Sequence, residues 1–327
     1  MSLIINVPRG MDRVVTSVQH RLRLVLFGTP RFAVPSLRRL VADGWPVELV
    51  VTAPDKPVGR RGVLTPCAVK SAALELGLPV RTPVSLKDDD FWHAFSELRP
   101  DLCIVAAYGK LIPKRYLDVP RLGFLNIHPS LLPLYRGPSP IQSAILDGAS
   151  RTGVSIMLLD EEMDHGPILA QESWDIPSGF DAPACETELA GIGARLLADS
   201  LSGYANGSII PRPQDHSTAT FTKKFTRDDG RLAWDRPAVS VSNRVRALST
   251  EPGTWTTWNG AVLNIVAAHP ISGSAAIGAV VKSDGAVGIG CQDGILVVEL
   301  VQPEGGRVMD AAAFVNGHPE FIGSEVV

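Results

Sequence analysis

Three short, strongly apolar runs constrain this chain more than any other feature: Leu22–Phe27, Val47–Thr52 and Leu102–Ala107. Between them lie stretches whose apolar residues recur at helical spacing, at Pro35–Asp43 (Leu37, Leu40, Val41), Ala68–Leu76 and Asp89–Leu98. A strand that is apolar on both faces must be covered on both faces, and helices connecting successive parallel strands do that. Further strand-like runs follow at Leu78–Arg81, Gly123–Ile127 and Val154–Leu159, and a last helix at Glu186–Leu201 stops near Gly203. The expected class is α/β, a Rossmann-like, mostly parallel sheet domain over residues 21–208. Residues 209–217 contain Pro211 and Pro213 without periodicity and read as an interdomain linker. From residue 218 the texture changes. One helix is predicted at Ala238–Leu248, and short β segments follow at Thr254–Trp258, Ala261–Ala267, Ile277–Lys282, Val287–Gly290 and Ile295–Val301. The turn residues between them, such as Asn259-Gly260 and Gln292-Asp293-Gly294, suit a small β-barrel over residues 218–327.

Composition narrows the function classes. A chain of 327 residues with 45% hydrophobic residues can bury two cores. A net charge of −3 excludes a globally basic nucleic-acid coat, though not a local basic face. The four cysteines, Cys67, Cys103, Cys185 and Cys291, have no CxxC spacing, which argues for a reducing compartment rather than a disulfide framework. No apolar stretch reaches the ~20 residues of a membrane span, and residues 1–20 lack a secretory core, so they are expected to be a loose extension outside the fold. A cytoplasmic location is expected. No heptad or apolar stripe demands a dimer, so a monomer is expected.

Four places carry chemistry. Gly28-Thr29-Pro30 follows the first strand, where open α/β sheets place ligands, but one glycine does not make a dinucleotide fingerprint. Asn126 and His128 are two apart at the end of a strand, so both project from one face. An amide donor beside an imidazole suits a developing oxyanion, and the imidazole can carry a proton. The alternative is a strand-end polar pair that only caps a turn. The acidic loop Asp160–Pro167 follows Val154–Leu159 and is therefore expected at the carboxyl edge of the sheet, with Asp164 the residue placed to orient His128. No His/Cys/Asp spacing resembles a metal site, so no metal is expected. Finally, basic residues cluster at Lys56, Arg60, Arg61 and Lys70, within or beside the long Pro- and Gly-rich connection Pro54–Pro66, and from Arg212 through Lys223, Lys224, Arg227 and Arg231 to Arg246. Local positive charge of this kind suits phosphates, or is simply a solvated mixed-charge surface.

The string Asn126-x-His128-x-Ser130-Leu131-Leu132-Pro133, with Tyr135-Arg136-Gly137 and Pro140-Ile141-Gln142 behind it, resembles the folate-dependent formyltransferase family. Asp164 in Met163-Asp164-x-Gly166 matches the acidic position of that family, and the resemblance runs from Leu22 to the C-terminus. It implies transfer of a formyl group from 10-formyltetrahydrofolate, without a metal, with Asn126 and His128 donating to the oxyanion and Asp164 steering the proton. It implies that Ser130, Leu131, Leu132 and Pro133 line the folate site. The Arg60 loop, the first turn Gly28–Ala33 and the stretch Thr220–Trp234 resemble the branch that formylates methionyl initiator tRNA for translation initiation. Arg60, Arg61, Lys223 and Lys224 would then meet the tRNA, and the second domain would be an OB-like barrel. Two alternatives remain: a formyltransferase for an amino sugar-nucleotide, which would share the trio but not need the Arg60 loop, and a non-catalytic folate-binding regulator, which would not need an oxyanion donor beside a carboxylate.

Overall fold

In a computed structural model of the chain, residues 22–59, 62–283 and 285–327 are described. The expected extension of residues 1–20 lies outside them. Two compact units interleave in the sequence: the first holds the described residues up to Arg136 with Gly153–Ser173 and Thr187–Thr220, the second holds Gly137–Thr152, Trp174–Glu186 and Phe221–Val327.

The apolar runs become the strands at the centre of the first unit. They are β1 (Leu24–Gly28), β2 (Val47–Val51), β5 (Val80–Arg81), β6 (Leu102–Ala106) and β7 (Phe124–His128), each parallel to its neighbour in the order β5-β2-β1-β6-β7. Helices α1 (Val34–Ala42), α2 (Ala68–Glu75) and α3 (Asp89–Leu98) fall where helical spacing predicted them. The connection Pro54–Pro66 contains an antiparallel hairpin, β3 (Lys56–Val58) with β4 (Val63–Thr65), and a short helix α4 (Lys114–Leu117) precedes β7. Because the chain winds outward from β1 through β2 to β5 and then returns to β6, the strand order switches between β1 and β6. A crevice at the carboxyl ends of these strands is the consequence. Gly28 closes it at the bottom: a Cβ there would sit 2.7 Å from Ala33 Cβ and 3.0 Å from the carbonyl oxygen of Ala106.

One face of this sheet packs aromatic residues. Phe27 meets Phe95, Tyr108 and Phe124 at ring centroid distances of 5.9, 5.3 and 5.5 Å. On the other face Ile127 lies under Gly193 of helix α6 (Ala182–Ala205), where a Cβ would come within 2.7 Å of it. The shorter helix α5 (Pro140–Leu146) comes between β7 and β8.

β8 (Arg151–Leu158) departs from expectation. It pairs with β7 antiparallel, Leu158 opposite Leu125 and Ser155 opposite His128, and β9 (Ile168–Asp175) adds outside it. A run buried on both faces reads the same in either direction, so sequence could not reveal the reversal. Residues 209–217, read as a linker, are held to the first unit by backbone pairing of Arg212 with Ile168 and by a buried Gln214.

In the second unit α7 (Ala238–Leu248) packs against α5 and against the long strand that starts at Ala261. Strands β10 (Trp255–Trp258), β11 (Ala261–Ile271), β12 (Val280–Ser283), β13 (Ala286–Gly290) and β14 (Ile295–Pro303) form an antiparallel sheet in the order β10-β11-β14-β13-β12, with β15 (Met309–Asp310) beside β14. Asn259 and Gly260 both take positive φ, 49° and 77°, as the tight turn between β10 and β11 requires. Residues 324–327 run between the two edges of the sheet: Val327 exchanges backbone hydrogen bonds with Thr257 beside β11, while Val280 donates to Ser324 and Glu325 bridges Ala279. That bridge makes a half-barrel of the sheet. Trp234, Leu263, Ile265, Val301 and Phe321 fill it, with Phe314 from helix α8 (Ala311–Gly317).

The burial pattern predicts thiol reactivity. Cys103, Cys185 and Cys291 are buried, and burial pushes Cys103 well above the usual thiol range and Cys185 and Cys291 up to about 11. Cys67 is only half-buried, at the start of α2. Titration of the native chain with a thiol reagent at pH 8 is expected to modify Cys67 alone, and all four thiols after denaturation.

Candidate active site

Strand alternation along β7 puts Phe124, Asn126 and His128 on one face and Leu125 and Ile127 on the other. Phe124 joins the aromatic cluster, so Asn126 and His128 extend the same face toward the carboxyl end, beyond the apolar packing. Asp164 arrives by a different route than expected. Because β8 runs antiparallel, its end lies near the start of β7, where Leu159 N–H donates to the Phe124 carbonyl. The acidic loop therefore begins at the opposite edge of the sheet and folds back. Two backbone features make that possible. Gly166 packs so tightly on the Leu158 carbonyl that a Cβ would lie 2.0 Å from that oxygen, and Asp164 takes a left-handed φ of 50°.

The three side chains converge. Asn126 Nδ2 lies 3.4 Å from Asp164 Oδ1, and His128 Nδ1 lies 3.7 Å from the same oxygen. His128 Nε2 is 2.9 Å from the carbonyl oxygen of Tyr135. A carbonyl only accepts, so Nε2 carries a proton, and Nδ1 is the ring nitrogen turned toward Asn126 and Asp164. Nδ1 can therefore accept a proton from that side or, once protonated, donate there. His128 is almost wholly buried and Asp164 nearly so, which leaves little water between them to screen the charges.

The loop after His128 is held by contacts of its own and by residues of β8, β9 and Thr220. Ser130 Oγ donates to the Leu134 carbonyl, and Ser155 Oγ donates to the Ser130 carbonyl while accepting from Leu132 N–H. Gln171 Nε2 donates to the Leu132 carbonyl, and Thr220 N–H donates to the Pro133 carbonyl. Leu131 covers Gly153, where a Cβ would come within 2.6 Å of it. Ser130 and Leu132 are buried. Of the four residues expected to line a ligand site, these two are thus turned into the interior.

Arg60 and Arg61 lie outside the described residues. Lys70, from the same basic cluster, is paired with Asp55 at 2.7 Å. In the second unit, Lys223 pairs with Asp229, Arg227 donates to Asn264, and Arg227 and Arg231 both lie over the Trp255 ring, at 5.6 and 5.7 Å. Lys224 is exposed. Reading the sequence also missed Gln214, Thr220 and the Tyr135 carbonyl. A lone glutamine in a proline-rich stretch offers no periodic signal, and a main-chain acceptor offers none at all. His165 stacks on His216 with ring centroids 4.0 Å apart and bonds Asp160 at 2.7 Å. Among the described residues no group of three His, Cys, Asp or Glu is placed to hold a metal ion, and no helix is long and apolar enough to cross a membrane.

A strand-end amide and imidazole facing a loop carboxylate, on a mostly parallel sheet followed by an antiparallel half-barrel, define a class. The chain matches the family model for formyl transferase over residues 21–200 and that for the formyl transferase C-terminal domain over residues 224–319, and it belongs to the formyl transferase family. It is a formyl-transferring enzyme. Among its relatives, the methionyl-tRNA formyltransferase of Roseiflexus castenholzii is 46% identical over 300 residues, spanning 90% of this chain and 96% of that one. The enzyme of the same name from Myxococcus xanthus is 41% identical over 93% of this chain and 98% of its own length. Solved structures share the fold. A sugar 3N-formyl transferase superposes with a TM-score of 0.65 at 17% identity, over 87% of this chain and 98% of that one. HypX from Aquifex aeolicus, in complex with tetrahydrofolic acid, superposes with a TM-score of 0.62 at 19% identity, over 92% of this chain and 48% of that one.

The electrostatics of the second unit yield a pH prediction. The Lys223 ammonium, then the N–H and O–H of Thr226, hold the Asp229 carboxyl at about 2, below its usual 3.8. A depressed carboxyl contributes stability that is complete above its unfolded pKa and disappears as pH falls through the folded one. Asp229→Asn is therefore expected to lower the unfolding midpoint at pH 7, with the gap to wild type closing as pH drops from 4 toward 2. Thermal unfolding of both proteins across that range checks it.

Proposed function

We propose that this enzyme transfers the formyl group of 10-formyltetrahydrofolate to the amino group of methionyl initiator tRNA. The observation that carries the reading is the combination of near-complete coverage of relatives named methionyl-tRNA formyltransferase with the convergence of Asn126 and His128 on Asp164. In this reading residues 21–208 form the catalytic domain, 209–217 join it to the second, and 218–327 bind tRNA, by charge rather than base reading.

The folate co-substrate supplies an activated formyl group. The amine must be neutral when its lone pair meets the formyl carbon, and negative charge then develops on the formyl oxygen. The Asn126 amide N–H and His128 Nδ1–H donate to that oxygen, and Asp164 stabilises the positive charge on the ring that this requires. Asp164 also holds a water that relays the amine proton toward the departing folate nitrogen. The Tyr135 carbonyl keeps Nε2 engaged, so the ring cannot present the wrong nitrogen. The apolar groups of Ser130–Pro133 shape the folate side of the cleft. Arg60, Arg61, Lys223 and Lys224 attract the tRNA backbone.

The test is transfer of labelled formyl to charged methionyl initiator tRNA and, separately, to a UDP-amino sugar. Label on the tRNA, lowered about 10²–10³-fold by His128→Ala or Asp164→Ala, is the expected result. Label only on the sugar retains the chemistry and overturns the acceptor. Folate binding with no transfer to either overturns the catalytic reading. Arg60→Ala is expected to lower kcat/KM for charged tRNA and leave the KM for the formyl donor unchanged. Normal efficiency on tRNA would remove the loop from the tRNA surface.

A further inference from the structure

Gln214 lies between the two stretches that match the family models, in a proline-rich segment with no regular structure. Its side chain is nevertheless buried, and every hydrogen-bonding position of its amide is used. Oε1 accepts from Arg136 Nε at 3.2 Å and from Arg136 Nη2 at 2.7 Å. Nε2 donates to the Asp164 carbonyl at 2.9 Å and to the Gly166 carbonyl at 2.7 Å. The orientation of the amide is unambiguous, because a guanidinium has no acceptor and two carbonyls have no donor.

Both ends of this bridge bear on the site. Asp164 holds a left-handed backbone, which costs a residue with a side chain about 1–2 kcal/mol. The hydrogen bonds to its own carbonyl and to that of Gly166 hold that conformation from both sides of the turn. Arg136 directly follows Tyr135, which is also left-handed, with φ of 59°, and whose carbonyl engages His128 Nε2. One amide thus joins the loop that sets the tautomer of His128 to the loop that aims Asp164.

We infer that Gln214 is a positioning residue for formyl transfer, keeping the Asp164 carboxylate trained on Asn126 and His128. The inference rests on the assignment of Asp164 to the chemistry. Gln214 itself touches no reacting group; it acts on Asp164 through the backbone carbonyls of Asp164 and Gly166. Neither a methionine nor a glutamate can replace it: the first has similar length and no donors, while the second still meets Arg136 but turns oxygen atoms toward the two carbonyls.

The experiment is a double-mutant cycle in the labelled-formyl assay. Gln214→Met and Gln214→Glu are made in the wild-type and in the Asp164→Ala backgrounds, with kcat, KM for the formyl donor and the thermal midpoint measured for each. In the wild-type background both are expected to lower kcat about tenfold or more, the effect of a modest misplacement of a reacting group, with the KM for the formyl donor unchanged. In the Asp164→Ala background they are expected to lower kcat no further, because the group they position is gone. Wild-type turnover in either folded variant overturns the inference, as does an equal loss in both backgrounds. If Gln214→Met does not fold, Gln214→Glu decides; if neither folds, the role is structural and the inference falls. Full turnover by Asp164→Ala alone would instead overturn the underlying assignment of the site.

Discussion

The parallel pairing of β2, β1, β6 and β7 is the constraint from which the rest of the first unit follows. Strands buried on both faces need helices on both faces, and the crossovers that supply them bring every strand of the set out at one edge. The chain must then start outward from β1 twice, once toward β2 and once toward β6, and the crevice between those departures cannot be filled by a connection. Gly28 and Ala106 meet at its floor with no room for a Cβ between them. Asn126 and His128 sit where β7 leaves the same edge. The site is thus located by topology before any of its chemistry is considered.

Much of this was legible in the residues. Apolar runs marked the parallel strands, helical spacing marked α1, α2, α3 and α7, and the glycine-bearing turns marked the second unit's strands. Alternation alone placed Asn126 and His128 together. Three things were not legible, each for a physical reason. The direction of β8 leaves no trace in a run that is buried on both faces. β9 alternates half-buried and exposed positions, and its polar residues Gln171, Glu172 and Ser173 dilute the strand signal. The folding back of the acidic loop depends on close backbone packing at Gly166, and a glycine before a proline reads as an ordinary turn wherever it occurs. Asp164 was expected beside His128 and lies there, while the edge from which it arrives was not foreseen, because proximity in a fold can be reached from either end of a strand.

The basic residues show how little a charge count reveals before partners are known. Lys70 and Lys223 are committed to carboxylates, and Arg227 and Arg231 lie along the Trp255 ring. Such cations still add to a positive field, but each is already oriented by a neighbour. A surface ion pair such as Lys223–Asp229 contributes ~0–1 kcal/mol, so Lys223 is easily re-paired. A phosphate approaching Lys223 competes with the carboxylate of Asp229, which is also held by Thr226 and does not leave with the lysine.

The candidate site also shows how strain and hydrogen bonding are balanced. Tyr135 and Asp164 flank the cleft, and both take left-handed backbones without being glycine. Each costs about 1–2 kcal/mol, comparable to the ~0.5–1.5 kcal/mol of a single buried hydrogen bond, so neither conformation persists without specific support. Tyr135 has the Thr220 hydroxyl accepting from its N–H. Asp164 has the Gln214 amide on its carbonyl. Both supports come from the stretch between Arg212 and Thr220, whose regular structure is limited to one short 3-10 turn at His216–Thr218 and which therefore leaves polar groups for its neighbours. A segment with little regular structure thus holds two residues whose backbones no helix or strand would accommodate.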